Sequence, residues 1–135
     1  YRINRPVLFI KFFIMKTELQ QYAANFEADV LAFRDLSSSE FVKQIIGEHW
    51  ALTIDEEFDA ITDYFSCLEI QHYSNEHYSY FEICLGCGWP NIYLNVNTRW
   101  ESVEYMIGWW GETYIKDLSY LFYSIEEVYN LSAYS

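Results

Sequence analysis

Apolar and polar positions recur with two different periods along this chain, and the change of period divides it. From Lys16 to Phe33, Leu19, Tyr22, Ala23, Phe26, Val30 and Phe33 follow one another at helical spacing, which predicts a helix with one apolar stripe. Ser37 and Glu40 stand at the spacing of a capping box and predict a second helix running to about Trp50, with Phe41, Val42, Ile45, Ile46 and His49 inward. Thr53 and Glu56 repeat that spacing ahead of a third helix, with Phe58, Ile61 and Phe65 on its buried side.

From Cys67 the period falls to two. Leu68, Ile70 and His72 alternate with Glu69, Gln71 and Tyr73; Phe81, Ile83 and Leu85 alternate with Tyr80, Glu82 and Cys84. Ile92, Leu94 and Val96 alternate with Tyr93 and Asn95, and Val103 and Tyr105 with Glu104 and Met106. The breaks at residues 74–77, 86–91 and 97–100 are rich in Gly, Pro, Asn and Ser, the residues of turns. Short breaks between strands predict an antiparallel meander whose first face packs on the helices. Tyr73, Tyr80 and Tyr93 then line the second face, open to water or a partner. Residues 112–119 read as a connection, and Ser124 and Glu127 cap a short last helix with Ile125, Val128, Tyr129 and Leu131 inward. The expected fold is α+β: N-terminal helices packed on a small antiparallel β-meander, with a short C-terminal helix.

Residues 1–14, YRINRPVLFIKFFI, carry three bases and no acid and precede Met15. They are expected to be an extension upstream of a natural start at Met15, with a strand over Val7–Ile14 as the alternative. No small-residue cleavage site follows them closely, and the apolar run is too short to span a bilayer. Residues 15–135 are expected to form one domain, in keeping with a length of 135 residues.

Composition adds a surface to this fold. With 13 Tyr, 10 Phe and 5 Trp, the chain has more aromatic area than a core of this size hides, so some rings are expected at the surface. From Met15 onward 20 acidic side chains face five basic ones, a formal −15. Such a charge repels nucleic acid and anionic membranes and attracts basic partners. Part of it is ordinary: Asp55, Glu56 and Glu57 open the third helix, where carboxylates favour the helix dipole. Asp59 and Asp63 are like charges four residues apart, which costs helix stability and suggests a negative face kept for a partner.

The candidate chemical motifs are weak. Cys84 and Cys87 form C-x-x-C with His72 and His77 upstream, but a matching second ligand pair is missing and no helix start follows to depress a thiol pKa. Three cysteines fit a reducing, cytoplasmic setting better than a disulfide framework. Gly86-Cys87-Gly88 is followed by Trp89-Pro90, where a dinucleotide loop needs small residues and a helix. The acidic run 55–63 lacks the central glycine of a calcium loop. No metal, no cofactor and no enzymatic activity are expected. Trp109 and Trp110 cannot both point inward; one is expected in the core and the other at the surface, where Trp is a common interface anchor.

Leu85, Gly86, Gly88, Pro90, Asn91 and Ile92, then Asn97-Thr98, then Trp109-Trp110-Gly111, resemble a segment of small acidic proteins encoded by phages and plasmids. That segment runs Leu, a spacer, Gly-Gly-Pro-Asn, a strand, Asp-Thr, a second strand and Tyr-Trp-Gly; here Trp89, Asn97 and Trp109 depart from it. Such proteins include anti-CRISPR and anti-restriction inhibitors. The resemblance implies a host-defence inhibitor that acts as a DNA mimic on a basic protein partner, such as a CRISPR effector or restriction enzyme, in the cytoplasm of a phage-infected or plasmid-bearing bacterium. An immunity protein or antitoxin against a basic toxin is the alternative, and a homodimer is compatible with either. The residues expected to meet the partner are Asp55, Glu56, Glu57, Asp59, Asp63, Tyr80, Tyr93, Trp109 and Trp110.

Overall fold

A single sheet carries the molecule, five antiparallel strands in sequential order β1 (Glu69–Ser74), β2 (Ser79–Gly86), β3 (Asn91–Asn97), β4 (Ser102–Trp109) and β5 (Glu112–Asp117). A layer of helices covers one face: α1 (Arg5–Asp35), α2 (Ser38–Phe41), a π-helical turn (Val42–Ile46), α3 (Ile54–Tyr64) and α4 (Phe122–Val128). The computed structural model describes residues 5–48, 50–77, 79–88 and 90–134, with side chains from residue 17 onward. This is the expected α+β architecture. Among the described residues, no helix is long and apolar enough to cross a membrane.

The core lies between the sheet and the helices. Phe81 and Ile83 of β2, Leu94 and Val96 of β3, and Val103, Tyr105 and Ile107 of β4 are all buried. They follow the two-residue period of the sequence and so share one face. Leu19, Ala23 and Val30 of α1 meet them from above, and Phe122, Ile125, Tyr129 and Leu131 close the same core from the C-terminus. Phe33, Phe41, Tyr64 and Phe65 form a ring cluster with centroids 5.2–6.3 Å apart that joins α1, α2 and α3. Phe41 stacks on Phe65 and the other pairs meet edge to face, and both arrangements add to the gain from area burial.

The structure departs from the sequence reading at definite points. The segment 7–14 is helical and continuous with α1, not a strand. Pro6 falls in the first turn, where its missing N–H leaves no bond unmade. The second helix ends at Gly47 rather than near Trp50. Gly47 adopts φ 86°, a left-handed cap that a side chain disfavours, and donates its N–H to the Val42 carbonyl at 3.0 Å. His49 lies outside the described residues, and Trp50 is exposed. At Ser37 only half of the capping box is made: its hydroxyl accepts from the Glu40 N–H. At Thr53 both halves are present, at 3.1 and 3.2 Å. Phe58 points out of α3, 68% exposed, because Ile61 and Phe65 already take the buried side. Leu68 precedes β1 and is exposed.

The largest correction is β5. Residues 112–117 are a strand, paired so that Met106 faces Ile115, Tyr105 faces Lys116 and Glu104 faces Asp117. Its hairpin turns on Trp110 and Gly111, with φ of 53° and 78°. Positive φ at both central residues is the turn whose twist matches antiparallel strands. The usual signal for it, Asn-Gly or Asp-Gly, is replaced here by Trp-Gly. The last helix also starts differently. Asp117 accepts from the Ser119 N–H at 2.7 Å, and Ser119 Oγ accepts from the Val103 N–H at 3.0 Å. Ser124 is buried inside the helix and is not its cap.

One polar clamp fixes α1 to the sheet. Glu27 accepts a hydrogen bond from Lys116 Nζ at 2.7 Å and another from the Tyr120 hydroxyl. These bonds hold the Glu27 carboxyl below its ordinary pKa, with the Lys116 hydrogen bond the largest cause. Their stabilisation is therefore present above the unfolded-state carboxylate pKa and is lost as pH falls through the lower folded value. The variant Glu27→Gln is expected to lose about 1 kcal/mol at pH 7, the scale of a partly solvated charged hydrogen bond. Denaturant melts should show that difference shrinking toward zero below the ordinary carboxylate range. A second expectation concerns the β4–β5 hairpin. A Cβ added at Gly111 meets nothing within 4 Å, so Gly111→Ala costs only backbone strain, about 1 kcal/mol, read as a lowered melting midpoint.

Candidate functional site

The alternation that buries one face of the sheet fixes the composition of the other. The outward positions are Glu69, Gln71 and Tyr73 on β1, Tyr80, Glu82 and Cys84 on β2, and Tyr93, Asn95 and Asn97 on β3. On β4 and β5 they are Ser102, Glu104, Met106 and Gly108, then Thr113, Ile115 and Asp117. Among the described residues, four carboxylates and three tyrosines share this face, and no Lys or Arg does. Lys116 belongs to the opposite parity and turns inward to Glu27.

The register orders these groups in rows across the strands. One row runs Gln71, Glu82, Asn95, Glu104, Asp117; the next holds Glu69, Cys84, Tyr93, Met106 and Ile115. Tyr73 stands opposite Tyr80, with ring centroids 6.0 Å apart. The Tyr80 hydroxyl donates to Asn95 Oδ1 at 2.7 Å, which fixes that ring within the face. Burial, followed by the fields of Glu82 and Glu104, pushes the Tyr80 phenol up. For Tyr93 the neighbouring Cys84 is the first cause of a raised pKa. Both tyrosines therefore stay neutral donors beside carboxylates.

Glu104 and Asp117 are direct cross-strand partners, and like charges so placed destabilise a sheet. Hydrogen bonds from Ser119 lower the Asp117 pKa and keep it ionised. Among the described residues, the ion pairs are Arg34–Asp35 and Lys116–Glu27, and neither involves this face.

Of the residues singled out from sequence, Tyr80 and Tyr93 lie on this outer face. Asp55, Glu56, Asp59 and Asp63 are exposed on α3, which packs in the helical layer on the opposite side of the sheet. The acidic helix and the tyrosines thus form two surfaces rather than one. Glu57 is half-buried, in a hollow it lines with Lys43, Trp50 and Leu52. Glu56 is partly committed to its cap, and the Thr53 N–H lowers its pKa. Trp109 and Trp110 divide as expected. Trp110 is 64% exposed on the turn. Trp109 packs half-buried against the core side, with its indole N–H buried and unpartnered, so it is a packing residue and not part of an outer surface. The outer-face acids Glu69, Glu82, Glu104 and Asp117 were absent from the expected site, although their parity with Tyr80 and Tyr93 marks three of them in the sequence.

A hollow of about 540 Å³ opens on the β1–β3 part of this face, lined by Leu68, Glu69, Glu82, Cys84, Cys87 and Tyr93 among others. The cysteines are free; the Cys84 thiol donates to the Gly86 carbonyl at 3.5 Å, and Cys87 is exposed. His72 stacks on Phe81 at 4.2 Å and bonds Ser79 Oγ at 2.9 Å, on the core side of β1. It therefore lies on the other side of the sheet from Cys84. Among the described residues, no three His, Cys, Asp or Glu side chains are grouped as a metal ion requires.

No protein-family model, curated protein or solved structure matches the chain. Its own residues carry the functional argument.

If Glu104 is kept for a partner at the expense of the fold, Glu104→Gln should raise stability by a few tenths of a kcal/mol. The gain should be larger at low ionic strength than at about 0.5 M salt, where exposed charges are screened. Paired denaturant melts at the two salt concentrations measure it.

Proposed function

We propose that this chain is a non-enzymatic, acidic inhibitor that binds a basic protein surface and blocks nucleic acid from reaching it. The reading takes that surface to belong to a bacterial defence enzyme, a CRISPR effector or restriction nuclease, met in the cytoplasm. What carries it is the outer face of the sheet: Glu69, Glu82, Glu104 and Asp117 on rigid paired strands, with no base among them and with two of the acids directly opposed.

A nucleic-acid enzyme keeps a groove basic enough to hold a polymer with one charge per about 1.7 Å of duplex axis. A fixed array of carboxylates competes for such a groove. Tyr73, Tyr80 and Tyr93 lie among the carboxylates and supply aromatic contact area of the kind that dominates interface energies. Strands hold these groups at a fixed spacing, so little order must be gained on binding. The exposed acids of α3 offer a second anionic surface on the far side of the molecule.

The chain immobilised at about 0.1 M salt is expected to retain a nuclease or effector subunit from bacterial lysate, to release it near 0.5 M salt, and to inhibit DNA binding by the purified enzyme. The outer-face triple variant E69Q/E82Q/E104Q should weaken that inhibition at least tenfold. D55N/D59N/D63N on α3 should leave it within about threefold, since those charges lie on the other layer. Recovery of a basic toxin neutralised by the chain would replace this reading with an immunity function. Inhibition untouched by the outer-face variant would remove the sheet from it.

A further inference from the structure

A second hollow, of about 330 Å³, lies on the helical side of the molecule, where α1 and the end of α3 meet strands β2 to β4. Tyr22, Phe26 and Asp29 enter it from α1, at spacings of four and three residues that set them on one stripe of the helix. Tyr64 and Phe65 come from the end of α3, Tyr105 from β4, and Tyr129 follows α4. Tyr105 and Tyr129 are buried and form the floor, while Tyr22 (44%) and Tyr64 (40%) are exposed at the rim. The Phe26 and Tyr105 rings pack 5.2 Å apart. Six of the ten described lining residues are aromatic, and the other four hold one charged group, Asp29.

Asp29 is unusual for its surroundings. The side chain that acts on it most is the neutral Tyr64 phenol, and among the described residues no Lys or Arg lines the hollow. Burial pushes its carboxyl up, the direction that a bound cation reverses. The phenols of Tyr64 and Tyr105 are raised to about 12, so they stay neutral and add no charge to the hollow. Aromatic rings that line one hollow with a partly desolvated carboxylate offer the recognition chemistry of organic cations: ring quadrupoles attract the positive group and the carboxylate supplies the counter-charge. The volume is at the lower end of small-ligand pockets, enough for an alkylammonium or guanidinium head and its stem.

We propose that the Tyr22–Asp29–Tyr64 hollow binds an organic cation of the alkylammonium or guanidinium class, with the ring faces enclosing the positive head and Asp29 as counter-ion. The inference stands apart from the inhibitor reading, because it uses none of the outer-face residues.

The test is an NMR titration of the full chain with choline and with 3,3-dimethyl-1-butanol, which has the same shape and no charge. Choline is expected to bind at least fivefold more tightly, with shifts centred on Tyr22, Asp29 and Tyr64. Asp29→Asn keeps an acceptor for Tyr64 and should remove most of that preference. Tyr22→Ala, at the exposed rim, should weaken choline several-fold while circular dichroism stays unchanged. The methylamides of lysine and arginine acetylated on the α-amine only, with their side chains still cationic, distinguish the source when titrated in parallel. Binding of these amides as tight as choline's marks the site for a partner's side chain, and binding of choline alone marks it for a free quaternary amine. Equal binding of the uncharged isostere overturns the proposal, as does choline binding that Asp29→Asn leaves intact or shifts confined to the exposed acids of α3 and the sheet.

Discussion

The seam where α1 crosses the inner face of the sheet governs the rest of the structure. Leu19, Ala23 and Val30 are buried along it, and the small side chain of Ala23 lets the helix approach closely. A meander of five strands has two faces and one helical layer to cover them. Once α1 and the C-terminal elements occupy the inner face, the outer one must face water, and strand parity decides which residues it shows. The clamp of Glu27 on Lys116 and Tyr120 belongs to the same constraint. Strand parity turns the base of edge strand β5 inward to that clamp, so the charged groups of the outer strand positions are all acids. An inward-pointing lysine also discourages a further strand from adding to that edge.

Long stretches of this arrangement were legible in the sequence because their periods are unambiguous. Alternation alone puts Phe81, Ile83, Leu94, Val96, Val103 and Tyr105 on one face of the meander, and all are buried. Thr53 and Glu56 announced α3, since both halves of a capping box are local chemistry. The misreadings have a shared cause, in that tertiary context chose between local options. Phe58 fits the apolar side of α3 as well as Ile61 does, but Ile61 and Phe65 fill the available space and Phe58 is left outside. In the sequence β5 reads as a connection because its turn is Trp110-Gly111, and a tryptophan at positive φ gives no turn signal. The run Thr113-Tyr114-Ile115 carried strand propensity that the unusual turn concealed.

The candidate surface was half legible for the same reason. Acidic residues in a helix attract notice as a run, so Asp55 to Asp63 stood out. Glu69, Glu82, Glu104 and Asp117 are scattered over 49 positions and become neighbours only when register is fixed. Opposing Glu104 to Asp117 depends further on β5, which the sequence did not reveal.

Charge and aromatic area, which composition offers as two totals, are distributed in three different ways. On the outer sheet, tyrosines lie among several carboxylates in a solvated plane, where each charge is worth little alone and the array acts through its summed field. On α3, the acids sit beside exposed Ile54 and Phe58, without the rigid pairing of a sheet. In the hollow beside α1, one carboxylate lies among rings and is partly desolvated, so a single charge there interacts more strongly than any of its exposed counterparts. A net charge of −12 therefore contains two kinds of electrostatics. One is collective and salt-sensitive, suited to a large basic surface. The other is local and sheltered, suited to one cationic group, and raising the salt concentration should separate them by weakening the first well before the second.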